Sequence, residues 1–168
     1  MSREGLGFRL VRVELGYRGV LYTVQFEDSD ETELERWSRN EEISRHPEFD
    51  GVFGAIEAIP YQGVPPGYFF KQEKYSGWVT PFVEEGYHEL RLYCIRYERQ
   101  NWVVAGNGCV KNEEGPLQQF DRCRRTFNEI RYVEERIARR LEGGDGFELI
   151  ALDDRLEGDL WFPPESYR

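Results

Sequence analysis

The sequence predicts an α+β fold: an antiparallel sheet joined to an N-terminal helical hairpin and a long C-terminal helix. Three observations carry this. Strand-forming runs lie at 8–15 and 20–27, where apolar and polar side chains alternate with period two, and at 89–97 and 102–110, which are rich in Leu, Ile, Val, Tyr and Trp; apolar residues recur every three or four positions from Leu117 to Leu141; and turn residues separate these runs. Helices set apart from an antiparallel sheet make an α+β sandwich.

The elements follow in order. FRLVRVEL (8–15) and VLYTVQFE (20–27) flank the turn Gly16 to Gly19 and read as a hairpin. Asp28, Ser29 and Asp30 offer N-cap oxygens to a helix in which Leu34, Trp37 and Ile43 share a face. His46-Pro47 interrupts it. Phe49, Val52, Phe53, Ile56 and Ile59 then follow helical spacing up to Pro60, completing the helical hairpin. From Tyr61 to Glu85 glycine, proline and aromatic residues favour a loop or short strands.

Residues 89–97 and 102–110 form the clearest strands, joined by Glu98 to Asn101. Gly106 and Gly108 within the second suggest a bulge or a close backbone approach. After Pro116 comes the long helix, stopped by Gly143-Gly144; its interleaved arginines and acids read as a solvated face. FELIAL (147–152) reads as a last strand, followed by an irregular acidic tail containing Pro163-Pro164. The 168 residues show no repeat and no linker, so a single domain spanning 1–168 is expected, with 143–168 as a C-terminal extension.

Composition narrows the function. The formal charge of -10 sets the average field against nucleic acid, although screening over about 8 Å leaves room for a local cationic groove. Cys94, Cys109 and Cys123 belong to no CxxC pair and read as buried thiols in a reducing compartment. With only two histidines, His46 and His88, neither a metal site nor a Cys–His nucleophile is expected, and no cofactor is implied. No apolar run reaches membrane-spanning length and the N-terminus has no signal-peptide pattern, so the expectation is a cytoplasmic protein without membrane contact.

Alternation places Leu90, Leu92 and Cys94 on one face of their strand and Arg91, Tyr93, Ile95 and Tyr97 on the other. A guanidinium between phenols suits a phosphate and a stacked base; the plain alternative is an amphipathic strand whose arginine pairs with a glutamate. The glycines of Gly106-Asn107-Gly108 lack the third glycine and following helix of a dinucleotide fingerprint, and no Walker lysine follows.

The run ELR, LYCIRY, a short turn, WVVAGNGCVK, then a polar stretch and a helix resembles the RelE/HigB-type toxin superfamily, especially its phage Gp49-like branch. The likeness covers residues 20–125 as an order of elements and about 20 residues as a motif. It implies a RelE-like fold and a toxin of a bacterial or phage toxin–antitoxin pair, a ribosome-dependent mRNA endonuclease with an antitoxin protein as partner. Cleavage there is attack of a ribose 2′-hydroxyl on the adjacent phosphate, which needs charge stabilisation and proton transfer but no metal. Arg91 matches the arginine at the scissile phosphate and Lys111 the basic residue closing the next strand. Arg96 is a third cation, Tyr93 a stacking surface, and Lys71 and Lys74 add positive charge ahead of the strand pair. The acids Glu113 and Glu114 stand where members carry further basic residues, and the C-terminal catalytic His or Tyr has no counterpart. The alternative is a non-catalytic toxin-fold module that binds a protein.

Overall fold

The computed structural model describes residues 2–14, 16–65, 78–83, 89–97, 100–111 and 117–165. Their elements run β1 (Phe8–Arg12), β2 (Val20–Phe26), α1 (Glu33–Arg39), α2 (Glu41–Ser44), α3 (Phe49–Glu57), α4 (Ile59–Gln62), β3 (Val79–Phe82), β4 (Leu90–Ile95), β5 (Trp102–Val110), α5 (Leu117–Leu141), β6 (Leu149–Ala151), β7 (Leu156–Gly158) and β8 (Trp161–Phe162). This is a mixed α+β fold with a mostly antiparallel sheet and a long C-terminal helix.

Six strands make the main sheet in the order β3-β4-β5-β2-β1-β8, antiparallel except where β2 runs parallel to β5. That parallel pair needs a long crossover, which the four short helices and β3–β4 supply. Thr23 fastens the junction: its hydroxyl donates to the Ala105 carbonyl at 2.8 Å and accepts from Leu34 N–H at 3.1 Å, joining β2, β5 and α1.

Helices cover both faces of the sheet. On one, Leu21, Leu90, Leu92, Cys94 and Val103 meet Leu34, Trp37, Val52 and Ile56 of the N-terminal helices. On the other, Tyr22, Tyr93, Ile95 and Val104 meet Cys123, Ile130, Val133 and Ile137 of α5. Strands buried on both faces lose the solvated side that alternation suggests, and every residue of β4 and β5 is buried.

Local chemistry corrects several expectations. Thr32, not Asp28 or Asp30, caps α1, in a capping box with Glu35. Asn40 ends α1 and caps α2, so the predicted helix breaks there. The helix α3 ends before Pro60 as expected, but a further short helix follows: Pro60 sits in the first turn of α4, where its missing N–H costs no hydrogen bond. The acidic tail is not irregular: β7 pairs with β6, and β8 adds to the main sheet beside β1.

The helix α5 is also more than a solvated ridge, because Arg136 and Arg140 are buried. The Arg140 guanidinium lies 3.7 Å over the Phe162 ring and 4.5 Å over Phe147. It donates to Asp145 Oδ2 at 2.8 Å and to the carbonyls of Asp159 and Trp161 at 2.9 and 2.6 Å. A planar five-donor group can satisfy a ring face and several acceptors together, so Arg140 docks the last strand onto the helix.

Candidate functional site: the β4–β5 pair and its bulge

The bulge suggested by the glycines is present. Leu92 pairs with Gly108 and Cys94 with Ala105, so Gly106 and Asn107 together oppose Tyr93. A Cβ on Gly108 would collide with the Arg91 carbonyl oxygen, and one on Gly106 would press on Ile130. The extra residue changes which side chains face which helix layer. Before it, Trp102 and Val104 face α5 while Val103 and Ala105 face the N-terminal helices; after it, Cys109 faces α5 and Val110 the other side.

This geometry corrects the reading of the cysteines. Cys109, turned towards α5, meets Cys123 on the buried stripe of the helix, and the two form a disulfide with a Cα–Cα distance of 5.1 Å. Cys94 is the free thiol; burial pushes its pKa up, away from reactivity at neutral pH.

Arg91 and Tyr93 share the α5 side of β4. Arg91 opposes Cys109 in register and is only 3% exposed. Its carbonyl accepts from the indole N–H of Trp37 at 3.2 Å. Tyr93 is 4% exposed, with its hydroxyl 3.9 Å from Cys109 Sγ and its ring edge-on to Phe127. Lys111, just beyond β5, is exposed, and its N–H donates to the Glu89 carbonyl at 2.6 Å. Arg91 and Lys111 therefore occupy the same end of the strand pair.

Arg96 lies beyond the opposite end, five residues from Arg91, or roughly 16 Å at strand rise. It is half-buried and donates to the Pro65 carbonyl at 3.1 Å; burial lowers its pKa. Lys71 and Lys74 lie outside the described residues.

Beside the bulge is a buried polar cluster that the sequence reading does not assemble. Asn107 Oδ1 accepts from its neighbour Gly108 N–H at 2.8 Å and from Arg122 Nη2 at 3.0 Å, while Arg122 Nε donates to the Gly108 carbonyl at 2.9 Å. With Thr126, Asn107 lines a cavity of about 10 Å³ closed by Glu33 and Glu129. Arg3 Nη1 stands 4.0 Å from Glu33 Oε1 and 3.8 Å from Glu129 Oε2, and Arg36 Nε is 3.5 Å from Glu33 Oε2.

Burial raises the pKa of Glu33 against the pull of Arg3 and Arg36; burial, reinforced by the charge of Glu33, raises that of Glu129. Each of the two therefore holds its proton more tightly than a free carboxyl does. The cavity has room for about one water molecule and no substrate. The GNG run was the sequence signal for this place, but Glu33 and Glu129 come from helices on opposite faces of the sheet.

Among the described residues, His46, Glu48 and Glu89 bring potential ligand atoms within 4.8 Å of one another at the edge of the strand pair. Comparison with protein-family models, with curated proteins and with solved structures finds no match to this chain.

Proposed function

We propose that the protein is a toxin-fold protein of the RelE/HigB type that works by engaging a protein partner, an antitoxin in that reading, rather than by cutting RNA. The order of elements over residues 20–141 supports the family part: β2, a helical segment, the antiparallel strands β3, β4 and β5, and α5, with β2 parallel to β5. The observation that carries the choice of mechanism is the burial of Arg91. A guanidinium that is 3% exposed, on the side of the sheet covered by α5, does not reach a phosphate. The formal charge of -10 points the same way.

Ribosome-dependent mRNA cleavage is the second reading. Lys111 favours it, being an exposed cation at the strand end that carries Arg91. In that reading Arg91 stabilises the phosphorane once α5 shifts away. A cytoplasmic location belongs to both readings, and the Cys109–Cys123 disulfide weighs against it, since such bridges are rare in reducing compartments.

One experiment separates the two. The chain is expressed alone and together with its neighbouring genes, and growth, intact mRNA and co-purifying protein are measured. The protein-binding reading expects a stable partner and no cleavage with or without ribosomes. Growth arrest with mRNA loss, relieved by Arg91→Ala, would replace it with the endonuclease.

A further inference from the structure

We propose that His46, Glu48 and Glu89 bind a divalent transition-metal ion, with Zn²⁺ the best match, at the edge of the sheet where β4 begins. The residues converge from two places. His46 lies in the link between α2 and α3, Glu48 occupies the N-cap position of α3, and Glu89 immediately precedes β4. Each offers one ligand atom, and the three atoms lie within 4.8 Å of one another.

The Glu48 N–H donates to His46 Nδ1 at 3.1 Å, a hydrogen bond that uses the nitrogen's one lone pair and that a metal bound there would replace. The same nitrogen is 3.9 Å from Glu48 Oε2. Two ligands sharing an ion through bonds of about 2.0 to 2.2 Å stand about 3 to 4 Å apart, so this pair is already spaced for a common ion. Glu48 Oε1 accepts from Leu90 N–H at 3.3 Å, fixing the carboxylate with its other oxygen towards His46. Glu48 makes no side-chain cap on its own helix.

Glu89 supplies the independent observation. Its Oε2 is buried and has no hydrogen-bond partner among the described residues. A carboxylate oxygen removed from water without a partner is costly, and a second carboxylate alongside raises the cost. Among the described residues no lysine or arginine pairs with Glu48 or Glu89, and a bound cation would supply the balancing positive charge.

Ligand chemistry selects the ion. Imidazole with carboxylates suits Zn²⁺, whereas Mg²⁺ and Ca²⁺ prefer oxygen-only shells. Three protein ligands leave a fourth position for water. The site ties the α2–α3 link to the start of β4 and does not depend on whether the protein binds an antitoxin or RNA.

Zn²⁺ titration of the chelator-treated 168-residue chain, by calorimetry and thermal unfolding, tests this. The expected result is a single equivalent bound, a higher Tm with metal, and reversal by chelator. His46→Gln and Glu89→Gln, each shown to fold by its metal-free melting curve, should each weaken binding by at least about tenfold, since changing even an outer-shell partner costs that much. Absence of Zn²⁺ binding, or undiminished binding in both folded variants, would overturn the site.

Discussion

The two faces of the central sheet are built on different principles. Towards the N-terminal helices the packing is mainly apolar, with Trp37 fully buried between Phe49, Phe53 and the strands and with Thr23 and Glu48 as buried polar groups. Towards α5 the core is threaded with buried polar and charged groups: Arg91, Asn107, Glu129, Glu134, Arg136 and Arg140. The apolar face gains from area removed from water and is indifferent to direction. The charged face gains only where each group meets its partner, so it specifies where α5, the N-terminal segment and the C-terminal strands sit.

Glu134 shows the second principle at work. Its Oε2 accepts from Trp78 N–H at 2.5 Å and Val79 N–H at 3.1 Å, so one carboxylate of α5 sets the start of β3. Tyr132 donates to the Leu6 carbonyl at 2.5 Å and accepts from Arg136 at 2.7 Å, tying the N-terminal segment to the same helix.

The largest expected effect lies on the apolar face. Trp37→Ala removes a large side chain from a closed core and leaves the Arg91 carbonyl without its indole donor, at a cost of about 4 kcal/mol. Trp37→Phe should lose less, and urea midpoints read the difference. Equal losses would mean that the hydrogen bond, not the packing, holds this face.

On the charged face, Arg140→Ala should cost about 3 kcal/mol, because it strands Asp145 and the Asp159 and Trp161 carbonyls. Hydrogen exchange should rise first at residues 159–163. Arg140→Lys should rescue little, since an ammonium cannot spread over Phe162 while reaching all three acceptors. An Arg140→Met variant more stable than the parent would sink the claim that this charge contributes stability.

The smallest effect is one of pH. Burial raises the folded-state pKa of Glu129, so between its unfolded and folded values the native chain binds more protons than the unfolded chain. The contribution of Glu129 to stability is therefore greatest at low pH and falls as pH rises from about 4.3 through the folded value. Glu33 and Glu134 act with the same sign. Asp145 opposes them: burial pushes its pKa up, but the Arg140 and Phe147 hydrogen bonds outweigh it, so its contribution is lost on acidification. Urea midpoints across the acid-to-neutral range should fall less with rising pH in Glu129→Gln. An unchanged slope would mean that Glu129 is charged throughout.

The sequence disclosed what depends on local pattern. The alternation of β4 assigned Leu90, Leu92 and Cys94 to one layer and Tyr93 and Ile95 to the other, as found. The three-and-four spacing located α5, and the glycines of β5 announced the bulge. What it did not disclose depends on distant partners. Polar residues at Arg91 and Tyr93 read as an open face because nothing local says that α5 lies over them. Arg140 read as solvated because its acceptors are mainchain carbonyls further along the chain. The disulfide escaped because Cys109 meets α5 only after the bulge has turned the strand. His46 and Glu89 share no periodicity, so their meeting is a product of the fold alone.

The bulge also gives β5 two phases, one on each side of Gly106-Asn107. A strand of the same length that paired without the bulge would turn Val110 to α5 and Cys109 to the N-terminal helices, leaving Cys123 without a mate and Arg122 without the carbonyl it holds. Taking out one of the two bulge residues would instead restore regular alternation with Cys109 still towards α5, so a single deletion separates the bulge from the disulfide.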